Sequence, residues 1–486
     1  MNKFITYVKK NKNELIIAFL LLLSVIGIFS LNRSAPDTYS LESYKYMNFK
    51  DKLPYFRDGR FFMTVFVLVL NKLNVSYSIF KLISWILAFI SLYLGIIIFN
   101  DMLKVATKKS HILISFLTVV NIFVLEFFIF ADYSGVMCLG ILNAVLSSRF
   151  FLQFLVSNEK KYIPLSMLFS LFTTFCYQGV IGLVVLLPII FIMKYSKNIK
   201  EFIKNNLLLV LVYAVPTFTA LLLGKLLGTY RLTGKSVSIV QRLKEIIAQF
   251  EEILVNTGFI LPKYLFIFIT LIGIIIFLIS ISKSKNKLKN ILFLTYCLIA
   301  SAIVPLMPEF VVDYNNIWLT PRSCVGLGIV CLIPYLIYII YGNSNKKTSL
   351  IITTFMFILF ICEFRGYLVM GYNQIINNTK EAEEASLILG KVYNYEKENK
   401  QIKNIVIYND KNISYTYPGI KAYKDINTRV GSRDWGTRAI LFRTLNRKLV
   451  SKKDSEFEKY CQENDWNEFY DETVKIKDNT LYICIY

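Results

Sequence analysis

Apolar runs of roughly membrane-spanning length recur along most of the chain, separated by short polar gaps. A helix needs about 20 apolar residues to cross the hydrocarbon core of a bilayer. The pattern predicts spans at residues 14–31, 78–99, 111–130, 135–156, 162–177, 180–193, 203–227, 265–281, 291–307, 323–341 and 349–370. We therefore expect a polytopic α-helical membrane domain over residues 1–370, with about eleven transmembrane helices.

The polar gaps between these spans alternate in charge. Lysines cluster in every second gap, at residues 3–12, 104–109, 160–161, 194–204, 283–289 and 346–347, whereas the other short gaps carry acids or no charge. Short loops rich in Lys and Arg stay in the cytoplasm. The alternation predicts a multi-pass cell-membrane protein with a cytoplasmic amino terminus and an extracellular C-terminal domain. The first span is longer than the apolar region of a typical signal peptide and no A-x-A site follows, so we interpret it as an anchor.

The composition argues against several classes of function. The 486 residues carry a formal net charge of +22, which in a soluble chain would suggest a nucleic-acid partner. Because the lysine clusters of the predicted cytoplasmic gaps account for most of this excess, we predict no nucleic-acid binding. The single histidine, His111, begins a span at its lysine-rich side, which excludes a zinc site built on imidazoles. We expect no cofactor, and the sequence does not support a divalent metal.

Three predicted outward loops are long, at residues 32–77, 228–264 and 308–322. The first ends in an apolar stretch, residues 61–73, which predicts an interfacial or re-entrant helix. In the second, apolar residues recur at helical spacing between charged ones, which predicts an amphipathic helix. That helix either lies on the outer leaflet or packs on another outward segment.

The tail, residues 371–486, is too polar for lipid and long enough for a small core. Its pattern predicts a helix at 381–392 and strands at 402–408 and 481–486, hence an extracytoplasmic α/β domain. Cys461 and Cys484 lie in this tail, and the sequence does not decide whether they pair.

Three outward residues are candidates for chemistry. Asp37 follows the first span closely, where a carboxylate can act as general base on a hydroxyl whose reaction partner is lipid-linked. Arg60 follows Gly59 at the start of the predicted interfacial helix, where a guanidinium can bind a phosphate, and Arg322 is a second phosphate candidate. The structural alternatives are that Asp37 caps a helix and that Arg60 snorkels to lipid headgroups.

Four further outward residues are candidate sugar or acceptor ligands. Asp58 lies in the first outward loop, and Asp132 and Gln178 occupy very short turns between spans. Each side chain can hydrogen-bond sugar hydroxyls, but Asp132 and Gln178 also suit plain turns. Trp318 is either a sugar-stacking platform or a residue of the interfacial aromatic belt.

Motifs for soluble nucleotide chemistry are missing from the sequence. It contains no Walker loop, GxSxG, HExxH or nucleotide-binding segment. An enzyme working on the outer face would therefore receive its activated donor already attached to a lipid.

The order of the outward motifs resembles that of a known family. The motifs are Asp37, Gly59-Arg60-Phe61, Tyr177-Gln178, Pro321-Arg322 and, in the tail, Ser432-Arg-Asp-Trp435. In this order and layout the chain resembles the bacterial type II serotype-converting glucosyltransferases, polytopic enzymes of the GT-C class. Some members carry two adjacent acids in the first loop, whereas Thr38 follows Asp37 here, which argues against a double-carboxylate or metal-assisted scheme.

The resemblance implies transfer of a hexose, with glucose as the expected sugar, on the outer face of the membrane. The donor would be a polyprenyl-phosphate sugar, and the acceptor a cell-surface glycan. A donor synthase and a flippase would be partners in the same pathway. Asp37 would deprotonate the acceptor hydroxyl, while Arg60 and Arg322 would stabilise the polyprenyl-phosphate leaving group. The expected stereochemistry is inversion.

Other functions remain open on the sequence alone. A transporter or flippase of lipid-linked sugar would share the apolar bulk, but should place charges at the bilayer midplane and show repeated halves. Another surface-polysaccharide assembly enzyme, such as a ligase, polymerase or acyltransferase, is a second alternative. A non-catalytic assembly subunit is a third.

Overall fold

Two compact units make up the structure, a computed structural model. The first ends at Leu368, and the second is formed chiefly by the chain from Val369 onward. The described residues are 11–25, 59–73, 75–130, 133–228, 238–256, 260–282, 286–310, 312, 317–342, 346–398 and 401–486.

Helices build the first unit, and the last of them continues into the second. In chain order they are α1 (Lys12–Val25), α2 (Phe61–Lys72), α3 (Tyr77–Thr107), α4 (Ile112–Val119), α5 (Ile122–Leu125), α6 (Ser134–Ser157), α7 (Tyr162–Cys176), α8 (Leu183–Tyr195), α9 (Ile199–Leu226), α10 (Ile239–Asn256), α11 (Leu265–Ile281), α12 (Lys287–Ile303), α13 (Ile333–Tyr341) and α14 (Lys346–Glu398). Short 3-10 helices connect some of them, at Glu126–Ile129, Gln178–Val180, Val304–Phe310 and Pro321–Leu332.

The lengths and apolar composition of these helices are those of a helical membrane protein. Among the described residues, seven helices are long and apolar enough to cross a membrane, and an eighth crossing results if one bent pair is counted as a single span. That pair is Ile112–Val119 with Ile122–Ile129, bent by 49°. Shorter apolar helices, including α7 and α11, fall below this length. The predicted number of eleven spans is therefore not confirmed.

Contacts at opposite ends show how neighbouring helices align in the first unit. At one end, the Ser84 and Ser134 hydroxyls lie 3.2 Å apart and Gly135 N donates to Ser84 Oγ at 2.9 Å. At the other end, Lys194 Nζ donates to the carbonyl of Ala106. The second contact brings together the ends of α3 and α8, and each of these ends carries a lysine cluster.

The second unit contains a four-stranded sheet. Its strands are β1 (Asn404–Asn409), β2 (Val450–Ser451), β3 (Val474–Lys477) and β4 (Thr480–Ile485), in the order β2-β1-β4-β3. β1 runs parallel to both neighbours, and β3 pairs antiparallel with β4. Two helices, α15 (Asp434–Leu445) and α16 (Ser455–Glu463), accompany the sheet. The two predicted strands and the helix at 381–392, which lies inside α14, are confirmed.

The core of this unit forms where the sheet meets helices. Ile405, Leu481 and Ile483 of the sheet pack in one apolar cluster with Leu441 of α15. On the other side, a disulfide joins Cys461 of α16 to Cys484 of β4, with a Cα–Cα distance of 5.5 Å. The two cysteines of the tail are thus bonded, which the sequence alone did not decide.

Candidate functional site

Arg60 lies at the start of α2 and contacts the turn that follows α7. Its Nε donates to Gln178 Oε1 at 3.4 Å, and its guanidinium carbon lies 5.1 Å from the centre of the Tyr177 ring. Gly59, with φ of +78°, provides the left-handed backbone that few other residues adopt at low cost. The Phe61 ring packs edge-on against Phe175 at 4.7 Å, which holds α2 against α7. Arg60 forms no ion pair with any residue that the structure describes.

The turn that carries Gln178 packs against the start of the 3-10 helix Pro321–Leu332. A Cβ built on Gly179 would lie 2.4 Å from Arg322 O and 2.8 Å from Ser323 Cα. Only a glycine allows two backbones to approach this closely. The contact brings Gln178 and Arg322 next to each other although they are 144 positions apart in the sequence.

Arg322 forms a buried ion pair with Glu126. Arg322 Nη1 donates to Glu126 Oε1 at 3.0 Å, and the Arg322 backbone N–H donates to Glu126 Oε2 at 2.6 Å. The Glu126 side chain is 0% exposed and that of Arg322 is 13% exposed. Glu126 therefore balances the guanidinium charge and also accepts from a backbone N–H in the first turn of a helix, where no helix carbonyl is available to it.

A break in one apolar stretch places Glu126 at this position. Asn121 Oδ1 accepts from Phe123 N at 3.0 Å and from Val124 N at 3.3 Å, so it caps α5 just after α4 has ended. Gly328 leaves room for the amide, since a Cβ there would lie 2.3 Å from Asn121 Oδ1. The chain then enters the 3-10 helix Glu126–Ile129, whose first residue is Glu126 itself.

Helix α10 supports the segment that leads to Arg322. Gln249 of α10 accepts from Leu319 N at 3.0 Å through Oε1, and Arg242 donates to the Phe310 carbonyl at 2.9 Å. Glu309 Oε2 accepts from Trp318 N at 3.3 Å. Of the two predictions for this amphipathic helix, packing on another segment is confirmed by these contacts. Part of its apolar side is also buried, with Ile246 and Ile253 at 2% and 0% exposure, whereas Ile239 at its start is 74% exposed.

The structure brings together three of the predicted site residues, namely Arg60, Gln178 and Arg322. Trp318 lies on the segment leading to Arg322 and is 42% exposed, which fits both a stacking platform and a belt residue. Asp37, Asp58 and Asp132 lie outside the described residues. We call Arg60, Tyr177, Gln178, Arg322 and Glu126 the arginine–glutamine cluster.

Glu126 is the member of this cluster that sequence reasoning missed. It lies within the stretch 111–130, which the sequence suggested was one uninterrupted span. The available signal was a lone acid, together with Asn121, inside an otherwise apolar run. Ionisable residues in such runs are costly to bury and usually face a partner inside the helix bundle.

The chemistry of the arginine–glutamine cluster suits an anionic, hydroxyl-bearing ligand. The Arg60 guanidinium supplies a fork of N–H donors for phosphate, and an amide such as that of Gln178 hydrogen-bonds hydroxyls. Within the described ranges, no group of three or more His, Cys, Asp or Glu side chains is placed to hold a metal ion.

A second buried polar cluster lies in the C-terminal unit. Arg429 Nη2 lies 3.6 Å from Glu384 Oε2, and its guanidinium stacks over the rings of Tyr417 and Tyr486 at 4.6 and 4.2 Å. Glu381 Oε1 accepts from Gly431 N at 2.8 Å. Burial raises the pKa of Glu381 to about 7, although the Gly431 N–H and Arg429 oppose the shift.

No known protein family and no curated protein matches this chain.

Proposed function

We propose that the chain is a membrane glycosyltransferase that moves a hexose from a polyprenyl-phosphate donor to a cell-surface glycan on the outer face of the membrane. The acceptor oxygen would attack the anomeric carbon, and the bond from that carbon to the phosphate oxygen would break. The hydroxyl proton would pass to Asp37, and polyprenyl phosphate would leave. The sugar would invert at the anomeric carbon.

The observation that carries this proposal is the meeting of Arg60 with Gln178 and Arg322. Arg60 starts an apolar helix, Gln178 follows another, and Arg322 opens a third apolar segment. Gln178 and Arg322 belong to short gaps without a lysine cluster, and Arg60 belongs to the long loop between the first two predicted spans; the alternation along the chain assigns all three to the outer face. A cation and an amide at that level suit a lipid phosphate and a sugar.

The two arginines have different roles in this proposal. Glu126 already neutralises Arg322, so a further anion there would gain less than at Arg60. Arg60 makes a single 3.4 Å hydrogen bond to Gln178 and no ion pair among the described residues. We therefore assign Arg60 as the main ligand of the leaving phosphate and Arg322, with Glu126, as the group that positions the Gln178 turn.

The disulfide between Cys461 and Cys484 supports an extracellular tail. Disulfides form and persist on the oxidising side of cell membranes and are rare in the cytosol. This agrees with the orientation that the lysine clusters predict, in which the C-terminal unit faces the acceptor glycan.

The proposal can be tested in cells that lack this chain, complemented with variants of it, by analysis of the envelope glycan. Wild type should restore one side-chain sugar. Asp37→Asn should abolish the transfer, since a general base contributes about 10²- to 10⁴-fold. Arg60→Gln should lower it by roughly 10²-fold, comparable to removing one transition-state donor. Lys72→Gln, at the opposite end of α2, and Asp101→Asn, which pairs with Lys104, are matched controls that should retain transfer.

Full activity of Asp37→Asn at normal expression would refute the base assignment. A different result would favour a flippase: cells without the chain would lose the whole polymer, and lipid-linked precursor would accumulate on the cytoplasmic side. Loss of one sugar from an otherwise complete polymer would support the transferase.

A further inference from the structure

A cavity of about 190 Å³ opens among the helix ends that carry lysine clusters. Its walls come from α3, α6 and the start of α7, which is the end of α7 opposite to Tyr177 and Gln178. Apolar side chains form most of the lining, with Met102 and Val105 on α3 and Leu152 and Val156 on α6. Val105 and Val156 are 56% and 52% exposed, so the cavity faces the surroundings of the bundle, where lipid chains would lie.

Arg149 is the charged residue in this lining. It lies on α6 eight residues before the helix ends at Ser157, which is about 12 Å along the axis. Its side chain is half-buried and makes no hydrogen bond or ion pair within the described part of the chain. The nearby acids are already paired, Asp101 with Lys104 at 3.0 Å and Glu159 with Lys161. The half-buried guanidinium therefore lacks a counter-charge among the residues that the structure describes.

Gln153, on the same face of α6, carries a buried hydrogen-bond acceptor that lacks a donor among the described residues. It lies one turn after Arg149, and side chains four residues apart on a helix are neighbours. Its Oε1 is buried and accepts no hydrogen bond from the described part of the chain. An unmatched buried acceptor is costly, so the site favours a ligand that also brings a donor. Lys161 Nζ, which pairs with Glu159, lies 5.2 Å from the centre of the Tyr162 ring, another wall of the cavity.

We propose that this cavity binds an anionic phospholipid whose headgroup carries hydroxyls, as in phosphatidylglycerol. The phosphate would pair with Arg149, a headgroup hydroxyl would donate to Gln153 Oε1, and an acyl chain would lie along Met102, Val105, Leu152 and Val156. The apolar wall selects a membrane lipid over a free phosphate ester. Basic pockets between transmembrane helices are common sites for anionic headgroups. This inference is independent of the proposed glycosyl transfer.

Native mass spectrometry of the full chain, titrated with single lipids, tests the proposal. Phosphatidylglycerol should bind more tightly than phosphatidylethanolamine of the same chain length. Arg149→Gln should weaken phosphatidylglycerol binding roughly ten-fold or more, because one charge-assisted contact is lost. Arg149→Lys should retain most of the binding. Lys287→Gln, at the start of α12, removes a positive charge elsewhere and should leave binding unchanged.

A second variant keeps the test decisive if Arg149→Gln folds poorly. Gln153→Glu places a carboxylate beside the phosphate and should weaken phosphatidylglycerol more than phosphatidylethanolamine. Equal affinity of wild type for the two lipids would overturn the proposal, as would unchanged binding by Arg149→Gln. Binding of free glycerol phosphate as tightly as the lipid would overturn the lipid assignment.

Discussion

The charge balance of the arginine–glutamine cluster depends on single residues. Glu126 is fully buried, and its two oxygens accept from both the side chain and the backbone of Arg322. An ion pair in this environment adds little net stability compared with apolar residues, but removing one partner leaves an uncompensated buried charge. Replacing Glu126 should therefore lower both the stability of the first unit and the rate of the proposed transfer.

Glu126→Ala should lower the free energy of unfolding by about 3–5 kcal/mol, because the Arg322 guanidinium would stay buried without its carboxylate. Equilibrium unfolding in mixed micelles measures this change. Glu159→Ala breaks an exposed pair with Lys161 in the same unit and should change stability far less, because solvent screens that pair. The double variant with Arg322→Ala should cost less than the sum of the two single changes. Strict additivity would show that the pair is not coupled.

The second prediction at this scale concerns Glu381, whose pKa is raised to about 7 by burial. In the unfolded chain the carboxyl would ionise near pH 4.5, whereas in the folded unit it stays protonated until about pH 7. Stability of the C-terminal unit should thus fall as pH rises between these values, by roughly 3 kcal/mol, and level off above them.

Glu381→Gln should remove that decline, since its amide oxygen can still accept from Gly431 N but cannot ionise. Hydrogen exchange of the β1 and β4 amides in the full chain, corrected for intrinsic rates, reports the change. Asp410 also titrates in this unit, with a pKa raised by burial, so only the difference between wild type and variant isolates Glu381. Identical pH profiles would contradict the assignment.

At the scale of elements, short irregular segments set the position of the cluster. The turn Tyr177–Gly179, the 3-10 helix Glu126–Ile129 and the start of Pro321–Leu332 all lie where a regular helix is broken or has not yet begun. Non-helical backbone at such positions is tolerated when it packs inside protein. Gly179 permits the closest of these contacts.

Gly179→Ala should disrupt the packing of this turn, because the added Cβ would meet the backbone of Arg322 and Ser323. Overpacking of this kind costs about 1–3 kcal/mol and should shift Gln178 away from Arg60. Gly390→Ala is the matched control: a Cβ there has no neighbour within 4 Å, so the change should be neutral or slightly stabilising in a helix. The two variants are compared by their thermal unfolding temperatures and by their glycosyl-transfer activity. Equal stability and activity would show that the turn can relax.

At the scale of the whole molecule, the long helix α14 links two environments. Its 53 residues extend roughly 80 Å, far more than the ~30 Å of a hydrocarbon core. The amino-terminal half is apolar, and the polar half supplies residues such as Ile388 and Val392 to the core of the C-terminal unit. That core is further tied by the disulfide between α16 and β4.

Replacing both Cys461 and Cys484 with Ser should destabilise the C-terminal unit by about 3 kcal/mol, the loop-closure value for a sequence separation of 23. Hydrogen exchange of α16 and β4 measures the loss. A reducing agent should produce the same change in wild type and none in the double variant. A reducing agent without effect on wild type would show that the bond does not form in the cell.

Much of the first unit follows from the sequence because lipid demands long apolar helices. The predicted spans 78–99 and 135–156 fall inside observed helices, and 203–227 ends one residue beyond the helix Ile199–Leu226, since a helix satisfies its own backbone hydrogen bonds. The prediction at 349–370 marks where polarity changes and not where the helix ends: no proline interrupts residues 371–398, so α14 continues. The pattern predicts one span over 111–130 because the apolar content of this run hides the Asn121 cap.

The sequence by itself determined the membrane class, the alternating lysine clusters, the strands of the tail and three members of the arginine–glutamine cluster. These features depend on local composition and spacing. Only the tertiary structure decided that Arg322 pairs with Glu126, that Gly179 packs on the Arg322 backbone and that Cys461 bonds to Cys484. Each of these joins segments distant in the chain, and their contacts depend on how helices and strands pack, which periodicity does not encode.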